Sequence, residues 1–188
     1  MRIALIPAKG SSTRIPGKNL KKFFGKPMLA YPIETAFKSD LFDVVFVSTE
    51  DPEVAKVATQ YGAAIIPRPS DLAEVGTPDC GTQEVTRHAI EWINANYVNK
   101  VTHACCVYPC TPLLTPEDLN VGWDCLRANT FAYVPGIFYW GHANAFGHSP
   151  ITEGWEIPYS PERYIDINVE ADWLKAVQMY EALMVTEP

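Results

Sequence analysis

Residues 7–19, PAKGSSTRIPGKN, bring the cations Lys9, Arg14 and Lys18 together with Gly10, Gly17, Asn19 and the hydroxyls of Ser11, Ser12 and Thr13. Such a set suits a triphosphate, because glycine allows the backbone to come close while cations and hydroxyls bind phosphate oxygens. Asn19 carries a donor and an acceptor on one side chain, which suits the edge of a base or a ribose. The segment is not a Walker A loop: GxxxxGK[ST] requires Ser or Thr after Gly17–Lys18, and Asn19 stands there. Composition alone leaves a second reading open, a solvated basic loop at the surface.

Other residue types invite chemistry and mostly read as packing. Cys105, Cys106 and Cys110 lie near His103, yet their spacing matches zinc motifs poorly, and free thiols pack as small hydrophobes. His88 falls in a helical pattern and His103 in a strand, where a packed or hydrogen-bonded ring is expected. His142 and His148 flank FYWG and are the better histidines for substrate contact. Tyr139 and Trp140 within FYWG suit either stacking on a sugar or filling the core, and the area that aromatics bury favours the core.

The elements that must position the loop alternate between two periods. A strand over about 2–7 precedes the loop; a helix near 28–38, a strand over DVVFVST, a helix over 52–61 and a strand AAII follow. A helix over 82–96, the strand HACCVY and a helix over 116–127 continue the alternation. Pro27 is expected in the first turn of the first helix, with Leu29, Ile33, Ala36 and Phe37 as its core stripe. YIDIN reads as a short strand before a last helix whose stripe is Trp173, Val177, Tyr180 and Met184. The stretch 129–165 shows no clean helix. Repeated βαβ units imply an α/β fold with a mostly parallel sheet covered on both faces, and ligands of such sheets gather at the carboxyl ends of the strands.

With 188 residues, 47% of them hydrophobic, the chain is sized for one domain with a sizeable core. Fifteen basic and 22 acidic residues give a net charge of -7, so a general electrostatic grip on nucleic acid is not expected and any phosphate site must be local. Neither a signal-peptide core nor a membrane-length apolar run is present, which predicts a soluble cytoplasmic protein with no membrane partner. The odd number of cysteines, five, fits reduced thiols.

IPAKGSSTRIPGKNLKKFFGKPMLAY resembles the signature of the CMP-sugar synthetase (acylneuraminate cytidylyltransferase) family, usually written IPARGGSKRIPGKN and followed by a GKP helix. The similarity runs on through FDVVFVSTEDPEVAKVATQYGA, RPSDLA, HAIEW, VYPCTPLLTPEDL, FYWG and YIDINVEADWLKAVQMYEAL. FYWG and the terminal motif look most like the pseudaminic acid branch, and STR is similar to the 3-deoxy-manno-octulosonate branch. The resemblance implies a three-layer, Rossmann-like nucleotidyltransferase domain over residues 1–188. It also implies CTP and an acidic 2-keto sugar as substrates, magnesium as cofactor and release of pyrophosphate.

Carried over residue by residue, the resemblance places Lys9, Ser12, Arg14 and Lys18 on phosphates, in a loop that includes Ala8 and Gly10. It places Asn19 and Arg68 on the cytidine and the region around Tyr108 to Thr111 towards the sugar, where Tyr139 and Trp140 of FYWG are further candidates. Lys9, Arg14, Lys18 and Asp166 become the catalytic set. Three departures stand out: Lys9 replaces an arginine, so the bidentate fork is lost. Asn168 replaces the second of two aspartates that hold magnesium, and it equally suits the N-cap of the last helix. The segment near 129–138, which in relatives supports a homodimer and closes over the sugar, is short. Two alternatives therefore stay open: a nucleotide-binding homologue without catalysis, and a nucleotidyltransferase with a smaller acceptor.

Overall fold

A computed structural model describes residues 1–12, 14–73, 81–160 and 164–186; Thr13 and Cys80 lie outside them. Strand β1 (Arg2–Pro7) leads into the loop, a small hairpin of β2 (Lys22–Phe23) and β3 (Lys26–Pro27), and helix α1 (Ala30–Lys38). Strand β4 (Val44–Thr49), α2 (Pro52–Gln60), β5 (Ala64–Pro67), the single turn α3 (Ser70–Ala73) and α4 (Thr82–Asn96) follow. Then come β6 (His103–Val107), α5 (Pro116–Leu126), β7 (Phe131–Val134), β8 (Phe138–His142), β9 (Trp155–Glu156) and α6 (Glu170–Thr186).

The larger sheet has the order β5-β4-β1-β6-β8-β7-β9, and its pairings are parallel except where β8 meets β6 and β7. Strand β1 sits in the middle as an unbroken apolar run because both of its faces are covered. Ala4 and Ile6 pack with Leu29 just before α1, Ile33 of α1, Val54 of α2 and Leu119 of α5. Ile3 and Leu5 point the other way, onto Val85, Ala89 and Ile93 of α4. That alternation is the period of two that a strand imposes. A third, smaller cluster lies outside the sheet and joins Ile15, Phe23, Met28, Tyr31 and Cys110 to Ile167, Trp173 and Ala176.

Several expectations need correction. Pro27 belongs to β3 and α1 begins at Ala30, so Pro32 is the proline in its first turns. Leu29, Ile33 and Ala36 are core, but Phe37 is 46% exposed, one position round the helix from the stripe. YIDIN forms no strand, because it crosses the end of the sheet without a pairing partner. On α6, Trp173 is buried, whereas Met184 is 59% exposed, past the end of the cluster that the helix covers. The stretch 129–165, unassigned from sequence, contains the hairpin β7–β8 and the edge strand β9.

The three clustered thiols do not converge: Cys105 faces the core under α1, Cys106 the core under α4, and Cys110 the third cluster. Burial pushes the Cys106 thiol up to about 11, so it stays a packed, protonated group. His103 and His142 face each other across β6 and β8 with ring centroids 4.7 Å apart. Burial, then repulsion from His142, Arg2 and the amino terminus, holds His103 below its ordinary 6.5. A histidine kept neutral on folding supports stability fully above that value, and the support is lost as pH falls below it, because only the unfolded chain then binds the proton. We therefore expect a lower thermal midpoint at pH 5.5 than at pH 7.5, and a smaller difference in His103→Gln.

Candidate active site

The order β4-β1-β6 contains a switch point: after β1 the chain moves outward to β4 and β5, and after β6 it moves away on the opposite side. A crevice at the carboxyl ends of the strands is expected there. A cavity of about 260 Å³ opens at that place. The loop after β1 supplies Lys9, Ser12, Arg14, Ile15, Lys18 and Asn19 to its lining. Arg68 follows β5, Tyr108, Pro109 and Cys110 follow β6, and Thr82 and Val85 come from the first turn of α4. Asp166 and Asn168 close the remaining side.

Backbone and buried polar contacts hold the loop open. Ala8 donates its N–H to the Ser48 carbonyl at 3.0 Å and buries its methyl group, so it anchors the loop rather than facing the cavity. Gly10 donates its N–H to Glu50 Oε1 at 2.8 Å. A Cβ at Gly10 would lie 2.0 Å from Asp51 Oδ2, and Asp51 is the N-cap of α2, so only glycine fits between loop and helix. Asn19, 3% exposed, donates from Nδ2 to the Lys9 carbonyl at 2.8 Å and accepts from Cys110 Sγ at 3.4 Å. The Asn19 amide thereby ties both ends of the loop to the turn after β6. Burial pushes the Cys110 thiol up to about 12, which keeps its proton for that bond.

Arg68, 7% exposed, donates from Nη2 to the Ser48 carbonyl at 2.5 Å and from Nε to Ser48 Oγ at 3.3 Å, with Nη1 3.9 Å from Glu50 Oε2. A buried guanidinium with paired neighbours is a rigid wall that presents cationic charge to the cavity. Tyr108 is held by its hydroxyl against Thr82 Oγ1 at 3.2 Å, and burial raises it above the ordinary tyrosine value.

Asp166 is placed from two sides. The β7–β8 turn brings Gly136, at φ +70°, so close that a Cβ there would sit 3.0 Å from Asp166 Cβ. Ile167, next in sequence, is buried in the third cluster, so Asp166 and Asn168 share the cavity side even without a strand. Asn168 is not the N-cap of α6, which begins two residues later. Its backbone N–H and that of Val169 donate to Asp172 Oδ2 at 2.8 and 2.9 Å, and these bonds hold the Asp172 carboxyl below the usual range. The Asn168 side chain instead accepts from Arg14 Nη2 at 3.0 Å.

Other residues named from sequence are set elsewhere. Tyr139 is 2% exposed with its hydroxyl 3.0 Å from Thr86 Oγ1. Trp140 is fully buried, stacks on Phe42 and donates from Nε1 to the Leu119 carbonyl at 3.1 Å. Both are core, and neither lines the cavity. Thr111 is buried and its hydroxyl bonds the Tyr108 carbonyl at 2.9 Å, which shapes the turn. His142 pairs with His103 at the start of β6, the end of the sheet opposite the cavity, because β8 runs antiparallel. It lines a separate surface depression with His148. Pro109 and Cys110, within the region 108–111 expected towards the sugar, do line the cavity, and Ile15, Thr82 and Val85 line it without having been singled out for it. Thr82 and Val85 were recoverable, since a helix that follows a parallel strand starts at the strand's carboxyl end.

Among the described residues no three carboxylate, imidazole or thiol groups converge, so an all-protein cation cage is not formed. Among the described residues that line the cavity, Asp166 alone carries a carboxylate. One carboxylate suits a magnesium ion that takes its remaining oxygens from phosphates and water.

The match that decides the family covers residues 3–138, from β1 to the start of β8, and it is to the cytidylyltransferase family. The chain belongs to that family. It is 37% identical over 124 residues to a pseudaminic acid cytidylyltransferase from Campylobacter jejuni, covering 65% of this chain and 51% of that one. It is 38% identical over 88 residues to an N-acylneuraminate cytidylyltransferase from Escherichia coli, covering 47% and 20%. The chain thus spans about half the length of the pseudaminic acid relative, or less. A CMP:2-keto-3-deoxy-manno-octonic acid synthetase solved with CTP shares the fold, with a TM-score of 0.69 and 15% identity over 100% of this chain and 99% of that one. A nucleotidyl transferase from Methanothermobacter has a TM-score of 0.72 at 14% identity over 97% and 99%. No helix of the described residues is long and apolar enough to cross a membrane.

Proposed function

We propose that this cytidylyltransferase-family chain transfers CMP from CTP to an acidic 2-keto sugar of the pseudaminic or sialic acid kind. The observation that carries the reading is the cavity that joins Lys9, Ser12, Arg14 and Lys18 on one side to Asp166 on the other. In the reaction the anomeric hydroxyl oxygen bonds to the α-phosphorus, the bond from that phosphorus to the bridging oxygen breaks, pyrophosphate leaves, and the hydroxyl proton passes to water. Charge neutralisation and in-line placement dominate the barrier to such a step. Arg14 and Lys18 hold the phosphates and balance the charge of the departing pyrophosphate. Arg68 and the pinned Asn19 form the end of the cavity suited to cytidine. Tyr108 and Thr82 offer hydroxyls to the sugar. Magnesium, held by Asp166 and the phosphates, supplies further neutralisation of the triphosphate when bound.

The test is calorimetric titration with CTP, with and without magnesium, followed by pyrophosphate release on addition of pseudaminic, neuraminic or octulosonic acid. Binding followed by release is the expected result. Absence of CTP binding overturns the proposal. A second reading, nucleotide binding without turnover, is favoured by the β7–β8 connection, which spans only residues 135–137, shorter than the segment that the family resemblance implies there. CTP binding with no release from any of the three acids supports that reading.

A further inference from the structure

Two cations of the nucleotide loop, Arg14 and Lys18, and Lys21 just after it reach the same short stretch of chain, residues 167–170. Arg14 Nη2 donates to Asn168 Oδ1 at 3.0 Å, and Lys18 Nζ donates to the Ile167 carbonyl. Lys21 Nζ donates to both carboxylate oxygens of Glu170, at 3.0 and 3.2 Å, and lies 4.3 Å from the Trp173 ring. Arg14 and Lys18 line the cavity, and Lys21 does not. Of these three, the two that face the cavity meet neutral oxygens and the one outside meets a carboxylate; Arg68, which also lines the cavity, has Nη1 3.9 Å from Glu50 Oε2.

We propose that Asn168 is a positioning residue for Arg14, which it aims at the phosphate site through an uncharged amide oxygen that leaves the guanidinium charge uncancelled. The proposal rests on the reading of the cavity as a triphosphate site. An unrestrained arginine on a loop loses rotamer entropy when a ligand fixes it, and a prior bond to Asn168 removes part of that cost. A carboxylate in the same place would orient the side chain equally well. It would also form an ion pair that an incoming phosphate must break, and would repel that phosphate. The amide separates orientation from neutralisation. The start of α6 does not depend on this side chain, since Asp172 caps the backbone N–H groups of residues 168 and 169.

The proposal is tested in EDTA, so that no effect passes through a divalent cation, by calorimetry with tripolyphosphate and with CTP. Asn168→Ala is expected to weaken both probes about five- to tenfold, the size of one lost charge-assisted contact. Asn168→Asp is expected to weaken them more than Asn168→Ala does. In an Arg14→Ala background, Asn168→Ala is expected to have no further effect, because a positioning residue acts only through the group it positions. Binding by Asn168→Asp as tight as in the unmodified protein, or an undiminished Asn168→Ala effect without Arg14, overturns the proposal. If the unmodified protein binds tripolyphosphate in EDTA but binds CTP neither in EDTA nor with magnesium, the nucleotide reading fails while the positioning role stands. If it binds neither, both fall.

Discussion

Lys18→Ala is expected to weaken CTP binding by about 2 to 3 kcal/mol, roughly 30- to 150-fold, the range for a charge-assisted hydrogen bond to a multiply charged ligand. The ammonium faces the cavity while donating to the Ile167 carbonyl, so its loss removes a phosphate contact and a tie between the loop and the C-terminal segment. Lys18→Arg separates the two contributions, because it keeps the charge but moves the donors. It should recover part of the affinity. Lys56→Ala, on the exposed face of α2 and paired there with Glu53, is the matched control and should leave the titration unchanged. An equal loss in Lys56→Ala would mean that overall charge, and not the loop, governs binding.

The second large effect concerns stability. Trp140→Ala removes a fully buried indole that stacks on Phe42 and bonds the Leu119 carbonyl, so it leaves a cavity and loses that hydrogen bond. Such truncations cost about 3 to 5 kcal/mol, a large share of the roughly 5 to 15 kcal/mol that holds a domain folded. Urea denaturation should show the midpoint fall by that measure, and Trp140→Phe should lose much less. If Trp140→Ala instead unfolds at the unmodified midpoint and loses only sugar-dependent pyrophosphate release, the side chain serves the acceptor and not the core.

How far the sequence spoke for the site depended on whether the information was local. The loop from Lys9 to Asn19 is contiguous, so its cations and glycines were legible as one unit, and the structure does bring its cavity-facing members together. The layered α/β order followed from the alternation of periods, which burial on one or two faces imposes directly. Asp166 had no local signature; only the family resemblance singled it out, and a buried Ile167 and the Gly136 turn set its place. FYWG was misjudged as partly sugar-facing because side-chain type does not reveal strand direction. Once β8 runs against β6, Tyr139 and Trp140 fall within the sheet and His142 at its far end. Cys110 was expected as a packed thiol within a region facing the sugar, and its bond to Asn19 escaped notice because the two are distant in sequence.

The smallest of the three cores, in which Ile15 and Cys110 meet Ile167, Trp173 and Ala176, gives the cavity floor a stability of its own. Helix α6 supplies no described side chain to the cavity lining, yet its docking seats the chain that carries Asp166 and Asn168. Each local opening of that helix unmakes the site while the central sheet stays intact. Occupancy of the cavity is then linked to the docking equilibrium of the helix, and a ligand that binds only the closed form shifts it by RT ln(1 + [L]/Kd). Ligand concentration then sets how often α6 undocks, and susceptibility to proteolysis there depends on what occupies the cavity rather than on the fold alone.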